Sequence, residues 1–145
     1  IVSTGETFTF DIALKYPEIT EIQGGTYALM DLNYPYMPFD IAVKVFSTII
    51  DIEDDKITID AGNKCIAAPN NAIPLIEGVK SELVEMGLDY SIHKISDNKK
   101  YSIGDKVYLL TTHEDGLINR WDKFVGIRKE IVEGSWDILG RGCHH

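Results

Sequence analysis

Short apolar stretches that alternate with polar residues occupy most of the chain from residue 25 onward. Alternation with a period of two, rich in β-branched and aromatic residues, is typical of strands with one buried face. The pattern predicts strands over 26–31, 41–52, 56–60, 106–111, 125–132 and 135–139. The acidic residues 53–55 and the pair Glu133-Gly134 predict tight turns between neighbouring strands. Short strands joined in this way indicate a mainly β chain, folded as a barrel or a sandwich.

Two segments follow a different pattern. Residues 1–3 are predicted to end a strand, and a turn of small residues follows at Thr4 and Gly5. Residues 8–16 then predict a short helix that Pro17 ends, because proline lacks the amide hydrogen that a helix interior needs. Residues 79–86 predict one or two helical turns. A short βα segment is therefore expected before the β region.

Length and charge narrow the functional class. A chain of 145 residues can bury a core, and one domain is expected. The 14 Lys and Arg against 23 Asp and Glu give a net charge of −9, which argues against binding to nucleic acid backbones or anionic membranes. Two cysteines distant in sequence do not indicate a disulfide framework, so a cytoplasmic location is expected. The chain starts at Ile1 without a signal-peptide pattern, and we expect a fragment of a longer protein.

His113 and Asp115 stand at the end of the predicted strand 106–111. In an extended segment, residues i and i+2 point to the same side, so the imidazole and the carboxylate could share one divalent cation. Two protein ligands do not close a structural site, and open positions would remain for water or substrate. The alternative is a solvated histidine followed by an aspartate that starts a turn.

The turn at 3–7 is a second candidate site. Its backbone amides and hydroxyl groups resemble the groups that hold a phosphate at the start of a helix. Glu6 argues against this interpretation, because its carboxylate would repel a phosphate dianion. An ordinary βα turn, with an acidic residue near the helix N-terminus, is the alternative.

Other polar and aromatic residues have mainly structural interpretations. Lys64 is expected to pair with Asp60 rather than form a Schiff base, and His93 is expected at the surface. Trp121 and Asp122 either support the candidate metal pair or belong to a packed loop. The aromatic loop of Tyr34, Tyr36 and Phe39 either plugs one end of the barrel or lines a pocket, and the terminal Cys143-His144-His145 is either a soft ligand set or a frayed end.

Several blocks in order resemble the C-terminal region of the D-threonine aldolase and D-serine dehydratase family, which comprises metal-activated pyridoxal-phosphate enzymes of the alanine-racemase-like fold. The most specific block is Thr20 to Asp31, which is similar to the family's TE-I-x-x-G-(S/T)-Y-x-x-M-D stretch. The second is the Gly-Asp strand at 103–107 followed by His113-Glu114-Asp115. The other similar blocks are 2–10, 59–64 and 140–142.

The resemblance implies a β-barrel or sandwich-like C-terminal domain of a fold-type III pyridoxal-phosphate enzyme. Residues 1–20 would be the last strand and helix of a missing upstream (β/α)₈ barrel, and 21–145 the C-terminal β-domain. His113 and Asp115 would bind a divalent metal, manganese or zinc, while Gly5 and Thr7 would contact the cofactor phosphate. The upstream barrel would carry the cofactor lysine, so pyridoxal phosphate is expected only in the full-length parent and no catalytic residue in this fragment.

The function implied by the resemblance is that of a lyase domain that is inactive alone. The parent would act on a small D-amino acid, by aldol cleavage or dehydration, and would be a homodimer. The alternative is a stand-alone β-barrel that serves as a binding or interaction domain without catalysis. A third option is a regulatory module that binds a small amino acid near Tyr34 and Tyr36.

Overall fold

The computed structural model describes residues 1–66 and 73–143. Within them, no helix has the length and apolar character needed to cross a membrane. The strands in this part of the chain are β1 (Ser3–Thr4), β2 (Glu21–Ile22), β3 (Val45–Glu53), β4 (Lys56–Ile59), β5 (Leu75–Ile76), β6 (Ser81–Met86), β7 (Ser91–Ile95), β8 (Lys106–Leu110), β9 (Lys123–Arg128) and β10 (Ile131–Asp137). The helices are α1 (Phe10–Ala13), α2 (Asn63–Ile66) and α3 (Glu114–Ile118).

Six strands form the main sheet, in the order β5-β8-β3-β4-β7-β6. Every neighbouring pair in it is antiparallel. The outer strands β5 and β6 lie beside each other, so the sheet curls into a nearly closed barrel. Closure of this kind removes most of the exposed sheet edge. The predicted mainly β barrel is confirmed.

Alternate residues of the barrel strands point inward and form the core. On β4, Ile57 and Ile59 are buried. Strand β3 contributes Val45 and Ile49 to the core, and β8 contributes Leu109. Helix α2 and helix α3 cover part of this core with one buried apolar side chain each, Ile66 and Leu117. Burial of apolar side chains, each contributing roughly 1.5–3 kcal/mol, is the main force that holds the barrel together.

The N-terminal segment is a small βαβ unit. Strands β1 and β2 pair in parallel, with Ser3 opposite Glu21 and Thr4 opposite Ile22. Parallel neighbours need a crossover connection, which α1 provides here. The predicted short βα segment is thus present, although its helix is shorter than 8–16.

The hairpin of β9 and β10 corrects a predicted turn. The turn lies at Lys129 and Glu130, whose φ angles are 50° and 65°, as a two-residue hairpin turn of the I′ type requires. The predicted turn at Glu133-Gly134 is wrong, because both residues lie within β10 beside a bulge. The Trp136 ring packs over Gly126 in the facing strand, where a Cβ would lie 2.5 Å from it.

Two predicted elements are also wrong in type. Residues 26–31, predicted as a strand, form a 3₁₀ turn at Thr26–Ala28, with the Met30 amide donating to the Thr26 carbonyl at 2.7 Å. Residues 79–86, predicted as helical, contain strand β6. Its pairing with β7 shifts register between Leu83 and Glu85, and this bulge disturbs the two-residue period that marks a strand.

His93, predicted at the surface, is buried inside the barrel at 1% exposure. The Ser91 hydroxyl donates to the Ala61 carbonyl at 2.8 Å and lies 3.0 Å from His93 Nε2. Because that hydroxyl hydrogen is already used, Nε2 carries the ring hydrogen and donates it to Ser91. Nδ1 has no hydrogen-bond partner among the described residues. Burial lowers the pKa of His93 from 6.5 to about 4.

We expect acid to destabilise the protein through His93. Between pH 6.5 and 4 the unfolded chain binds a proton at His93 and the folded chain does not, so stability falls as the pH falls, by up to about 3 kcal/mol. Urea unfolding at several pH values measures this loss. In His93→Gln, whose side chain does not titrate, the same pH interval is expected to show a much smaller change. An equal pH dependence in both proteins would contradict this origin.

Gly62 permits a close backbone approach that no other residue allows. A Cβ there would lie 2.5 Å from the Tyr90 amide nitrogen and 2.6 Å from the Leu88 carbonyl. These are backbone atoms rather than the end of a flexible side chain, and the Leu88 carbonyl is held by the Lys64 amide at 3.0 Å. Gly62→Ala is therefore expected to cost about 2–3 kcal/mol of unfolding free energy. Gly25→Ala is the matched control, because a Cβ there meets no atom within 4 Å. A similar thermal midpoint for both variants would refute the prediction.

Candidate metal centre

Helix α3 begins at Glu114, shortly after the end of β8 at Leu110, and the predicted metal pair lies at its start. His113 is the N-cap residue, in an extended conformation, and its Nδ1 accepts a hydrogen bond from the Gly116 amide at 3.0 Å. Asp115 lies in the first helical turn. The expectation of one extended segment through both residues is therefore wrong. Both side chains are nonetheless exposed at the same helix end.

An imidazole and a carboxylate form a donor set suited to a divalent transition metal. The cap hydrogen bond imposes a condition on such binding. A neutral ring whose Nδ1 accepts a hydrogen bond carries its hydrogen on Nε2, and a metal needs a nitrogen with a free lone pair. Binding at Nδ1 displaces the Gly116 amide, and binding at Nε2 moves the hydrogen to Nδ1. Either way, the His113 cap and the metal bond exclude each other.

The described residues contain no group of three or more His, Cys, Asp and Glu side chains arranged to hold a metal ion. A site at His113 and Asp115 would therefore have two protein ligands and several open positions. Open coordination positions are typical of catalytic rather than structural metals.

The backbone before His113 is fixed by hydrogen bonds to other parts of the chain. The His113 amide donates to the Thr111 hydroxyl at 3.2 Å, and that hydroxyl lies 3.3 Å from the Ile66 carbonyl. The Leu32 amide donates to the Thr111 carbonyl at 3.0 Å, and the Asn33 side chain donates to the Thr112 carbonyl. Hydrogen bonds thus connect the end of β8 both to α2 and to the segment around residue 32.

Asp31 and Glu114 form a buried carboxyl pair that the sequence reasoning missed. They are 3% and 6% exposed, and the residues that follow Asp31 donate hydrogen bonds to the end of β8 just before Glu114. Burial raises the pKa of Glu114, and the Asp31 carboxyl raises it further, while the Thr26 hydroxyl opposes the shift. Burial also raises the pKa of Tyr34, with Asp31 and Glu114 adding to it.

The turn with Gly5 and Thr7 is well defined, but its polar groups are already used. Gly5 has a φ of +88°, which favours glycine. The buried Thr7 hydroxyl accepts a hydrogen bond from the Tyr27 amide at 3.0 Å. The Glu6 amide donates to the Thr9 hydroxyl at 3.0 Å. As arranged, these residues do not form a phosphate cradle, and the assignment of Gly5 and Thr7 to a cofactor phosphate stays a prediction.

Lys64 pairs with Asp89, at 2.9 Å, and not with Asp60 as predicted. Asp60 instead accepts hydrogen bonds from the Ser47 hydroxyl and the Thr48 amide, both at 2.7 Å. Both bonds hold Asp60 Oδ1 against β3, which explains the error.

Trp121 donates its indole hydrogen to the Cys65 carbonyl at 2.8 Å, and Asp122 pairs with Arg141 at 2.8 Å. These contacts agree with the interpretation of Trp121 as a packed loop residue that attaches the chain after α3 to α2. Of the terminal Cys143-His144-His145, Cys143 is exposed and the two histidines lie outside the described residues.

The aromatic loop packs against the N-terminal segment. Tyr34 stacks on Phe8, with ring centroids 5.2 Å apart, and Phe39 contacts both Phe10 and Tyr27. Tyr36 remains 69% exposed. The loop therefore joins the βαβ unit to the rest of the chain, a role that neither the barrel plug nor the pocket anticipated.

Comparison with known proteins identifies relatives. The model of a family described as putative serine dehydratase domain matches residues 42–127. A D-threonine aldolase of an Arthrobacter species is 29% identical over 140 residues, which cover 85% of this chain and 35% of that protein.

Two solved structures share the fold. The D-threonine aldolase from Filomicrobium marinum superposes with a TM-score of 0.88 at 22% identity, covering 99% of this chain and 42% of that one. The D-threo-3-hydroxyaspartate dehydratase from a Delftia species gives 0.75 at 17% identity, covering 94% and 43%. The chain therefore spans less than half the length of these relatives, and it has the fold of the C-terminal domain of alanine-racemase-like enzymes.

Proposed function

This chain belongs to the D-serine dehydratase domain family, and on that premise we propose that it is the metal-binding C-terminal β-domain of a pyridoxal-phosphate-dependent lyase acting on small D-hydroxy amino acids. The rest of the lyase is an upstream (β/α)₈ barrel in the same polypeptide. That barrel ends in residues 1–20, and the β-domain comprises 21–145. The parent is a cytoplasmic homodimer, and this chain alone is inactive.

The observation that carries the proposal is the placement of His113 and Asp115 on the exposed first turn of α3, at the open end of β8. The two side chains would hold a divalent metal and leave coordination positions for the substrate. A metal bound there supplies a Lewis acid for the β-hydroxyl group of the substrate. The carboxylate of Asp115 is a hard oxygen ligand, which favours manganese over zinc.

Pyridoxal phosphate, when bound in the parent, supplies an electron sink for the α-carbon of the substrate. We assign its lysine to the upstream barrel. The turn with Gly5 and Thr7 would meet the phosphate only after rearrangement, since the Glu6 amide and the Thr7 hydroxyl have partners within the chain. The same observation supports the alternative function, a stand-alone β-barrel that binds a partner without catalysis.

The products that the longer protein forms from a D-hydroxy amino acid distinguish an aldolase from a dehydratase. With D-threonine, aldol cleavage gives glycine and acetaldehyde, whereas dehydration gives 2-oxobutanoate and ammonia. The oxygen ligand Asp115 favours cleavage, so we expect glycine and acetaldehyde from the parent and neither product set from the 145-residue chain. Activity of the short chain by itself would contradict the assignment of the cofactor to the upstream barrel.

The first test is the affinity of the chain for Mn²⁺, measured by isothermal titration calorimetry. We expect one site, and at least a ~10-fold loss of affinity in Asp115→Ala, because half of the protein ligand set is removed. Asp51→Ala is the matched control, since Asp51 is an exposed carboxylate on β3. Absence of binding by the wild-type chain would favour the alternative, an interaction domain without a metal.

A second test separates the two roles of His113. Asparagine is a good N-cap residue, so His113→Asn is expected to keep the start of α3 while abolishing Mn²⁺ binding. His113→Ala loses both the cap and the ligand, and we expect it to cost about 1 kcal/mol of unfolding free energy in addition. Thermal melts and Mn²⁺ titrations of the two variants distinguish these effects. Retention of wild-type affinity in His113→Asn would remove His113 from the ligand set.

A further inference from the structure

We propose that a cavity of about 580 Å³, between the β9–β10 hairpin and the outer face of β3 and β8, binds an amphipathic monocarboxylate. The hydrocarbon body of this ligand lies against the apolar lining, and its carboxylate meets the ammonium groups of Lys44 and Lys123. Neither His113 nor Asp115 lines this hairpin cavity, so the inference goes beyond the proposed metal-binding function and does not depend on it.

Most side chains that line the hairpin cavity are aliphatic or aromatic. They come from β9 (residues 123–125 and 127), from the chain before and at the start of β3 (41–46), from Tyr108 on β8, and from the end of α3 with Trp121. Small-molecule sites have volumes of roughly 300–1,000 Å³ and combine a mainly apolar lining with a few polar groups. The hairpin cavity therefore has the size and the composition of a site for a small ligand.

The hairpin leaves apolar side chains in water beside this cavity. Within the described chain, β9 and β10 form a sheet of their own, apart from the six-stranded barrel. Val125 and Ile127, which line the cavity, are 59% and 47% exposed. A two-stranded ribbon alone is marginally stable in water, and clustered apolar surface favours an apolar occupant. A hydrocarbon chain bound in the cavity covers both residues.

The charge of the lining is opposite in sign to the charge of the whole protein. The sequence has 23 acidic and 14 basic residues, yet the charged residues among the described lining are Lys44 and Lys123. Each pairs with a carboxylate from outside the lining, Lys44 with Glu77 and Lys123 with Asp137 at 3.5 Å. Exposed ion pairs contribute little to stability, so a ligand carboxylate replaces that of Asp137 at little cost.

Aromatic rings keep ammonium groups close to the sheet face. Phe46 on β3 and Tyr108 on β8 are paired across the two strands, with ring centroids 5.3 Å apart. Lys44 Nζ lies 5.7 Å from the Tyr108 centroid, and Lys106 Nζ lies 6.0 Å from the Phe46 centroid. The ring quadrupole attracts a cation at such distances. The positive charge beside the cavity is thus held in place before a ligand arrives.

These contacts define the chemistry of the ligand. Its head carries a single negative charge, because the carboxylates of Glu77 and Asp137 beside the two lysines would repel a dianion such as a phosphate monoester. Its body needs few hydrogen-bonding groups, since the lining is mainly hydrocarbon and the Trp121 indole already donates to the Cys65 carbonyl. A fatty acid meets both conditions.

Isothermal titration calorimetry of the 145-residue chain with decanoate tests the site, and we expect one molecule to bind per chain. Decan-1-ol has the same hydrocarbon body without the charge, and butyrate has the charge with little of the body. We expect each of them to bind at least about 10-fold more weakly than decanoate, because each lacks one of the two interactions.

Lys123→Met removes one cation from the head site, and we expect it to weaken decanoate binding about 10-fold. Lys94→Met is the matched control, because Lys94 lies outside the lining and forms a similarly exposed pair with Asp55, at 3.3 Å. It changes the net charge of the protein equally, and its decanoate affinity is expected to stay within about twofold of wild type.

Val125→Asp places a carboxylate in the lining and is expected to weaken decanoate binding by at least about 10-fold. Ile131→Asp is its control, since Ile131 is 67% exposed on the same hairpin and lies outside the lining. Circular dichroism and thermal melts establish that all four variants are folded before titration.

Weaker binding in Lys123→Met and Val125→Asp, with both controls unchanged, would support the proposal. Absence of decanoate binding by the wild-type chain, or equal affinity for decan-1-ol, would refute it. Sedimentation velocity tests a second copy of the chain as the other occupant. Dimers that Val125→Asp dissociates and decanoate does not would assign this face to an interface between copies, and would also overturn the proposal. The Mn²⁺ titrations test the proposed function separately from all these results.

Discussion

The double pairing of β3 is the constraint on which the rest of the structure depends. Its first half, Val45 to Thr48, pairs with β8, and its second half, from Ile49, pairs with β4. The register shifts between Ile49 and Asp51, which lets one strand serve two neighbours as the sheet curls. Because β3 holds β8 in place, it also determines where β8 ends and α3 begins. The candidate metal centre is thus a consequence of how the barrel closes.

At that strand end, one imidazole has two incompatible uses. As long as His113 Nδ1 accepts the Gly116 amide, it satisfies one of the amides that a helix start leaves without a partner. A metal takes that lone pair or forces the ring hydrogen onto it. The cap is worth about 1 kcal/mol, far less than a typical metal–ligand interaction, so the metal would prevail where it is available. The hydrogen bond from the Gly116 amide to His113 Nδ1 then belongs to the metal-free chain, where it stabilises the start of α3.

Sequence periodicity predicts the strands that obey it and fails where local geometry breaks it. Residues 56–60 and 106–111 alternate regularly, and β4 and β8 lie there. The bulge in β6 made its pattern resemble a helix, and Glu133-Gly134, beside a bulge within β10, resembled a turn. The resemblance to the family pointed to His113 and Asp115 by motif. Which polar residues face inward depends on tertiary contacts, so the burial of His93, Asp31 and Glu114 was not predictable from one sequence.

The two sets of buried polar groups differ in what they do for the protein. Among the described residues, the His93 ring has no partner at Nδ1, and its Nε2 meets only Ser91 of its own strand. Its burial therefore only limits stability in acid. Asp31 and Glu114 instead lie buried where the segment after the βαβ unit meets the end of β8. The hydrogen bonds from Leu32 and Asn33 to this strand end fix the backbone that precedes His113, and a site with only two protein ligands depends on such positioning more than a closed site does. The cost of burying carboxyl groups is thus incurred where it can affect the candidate site.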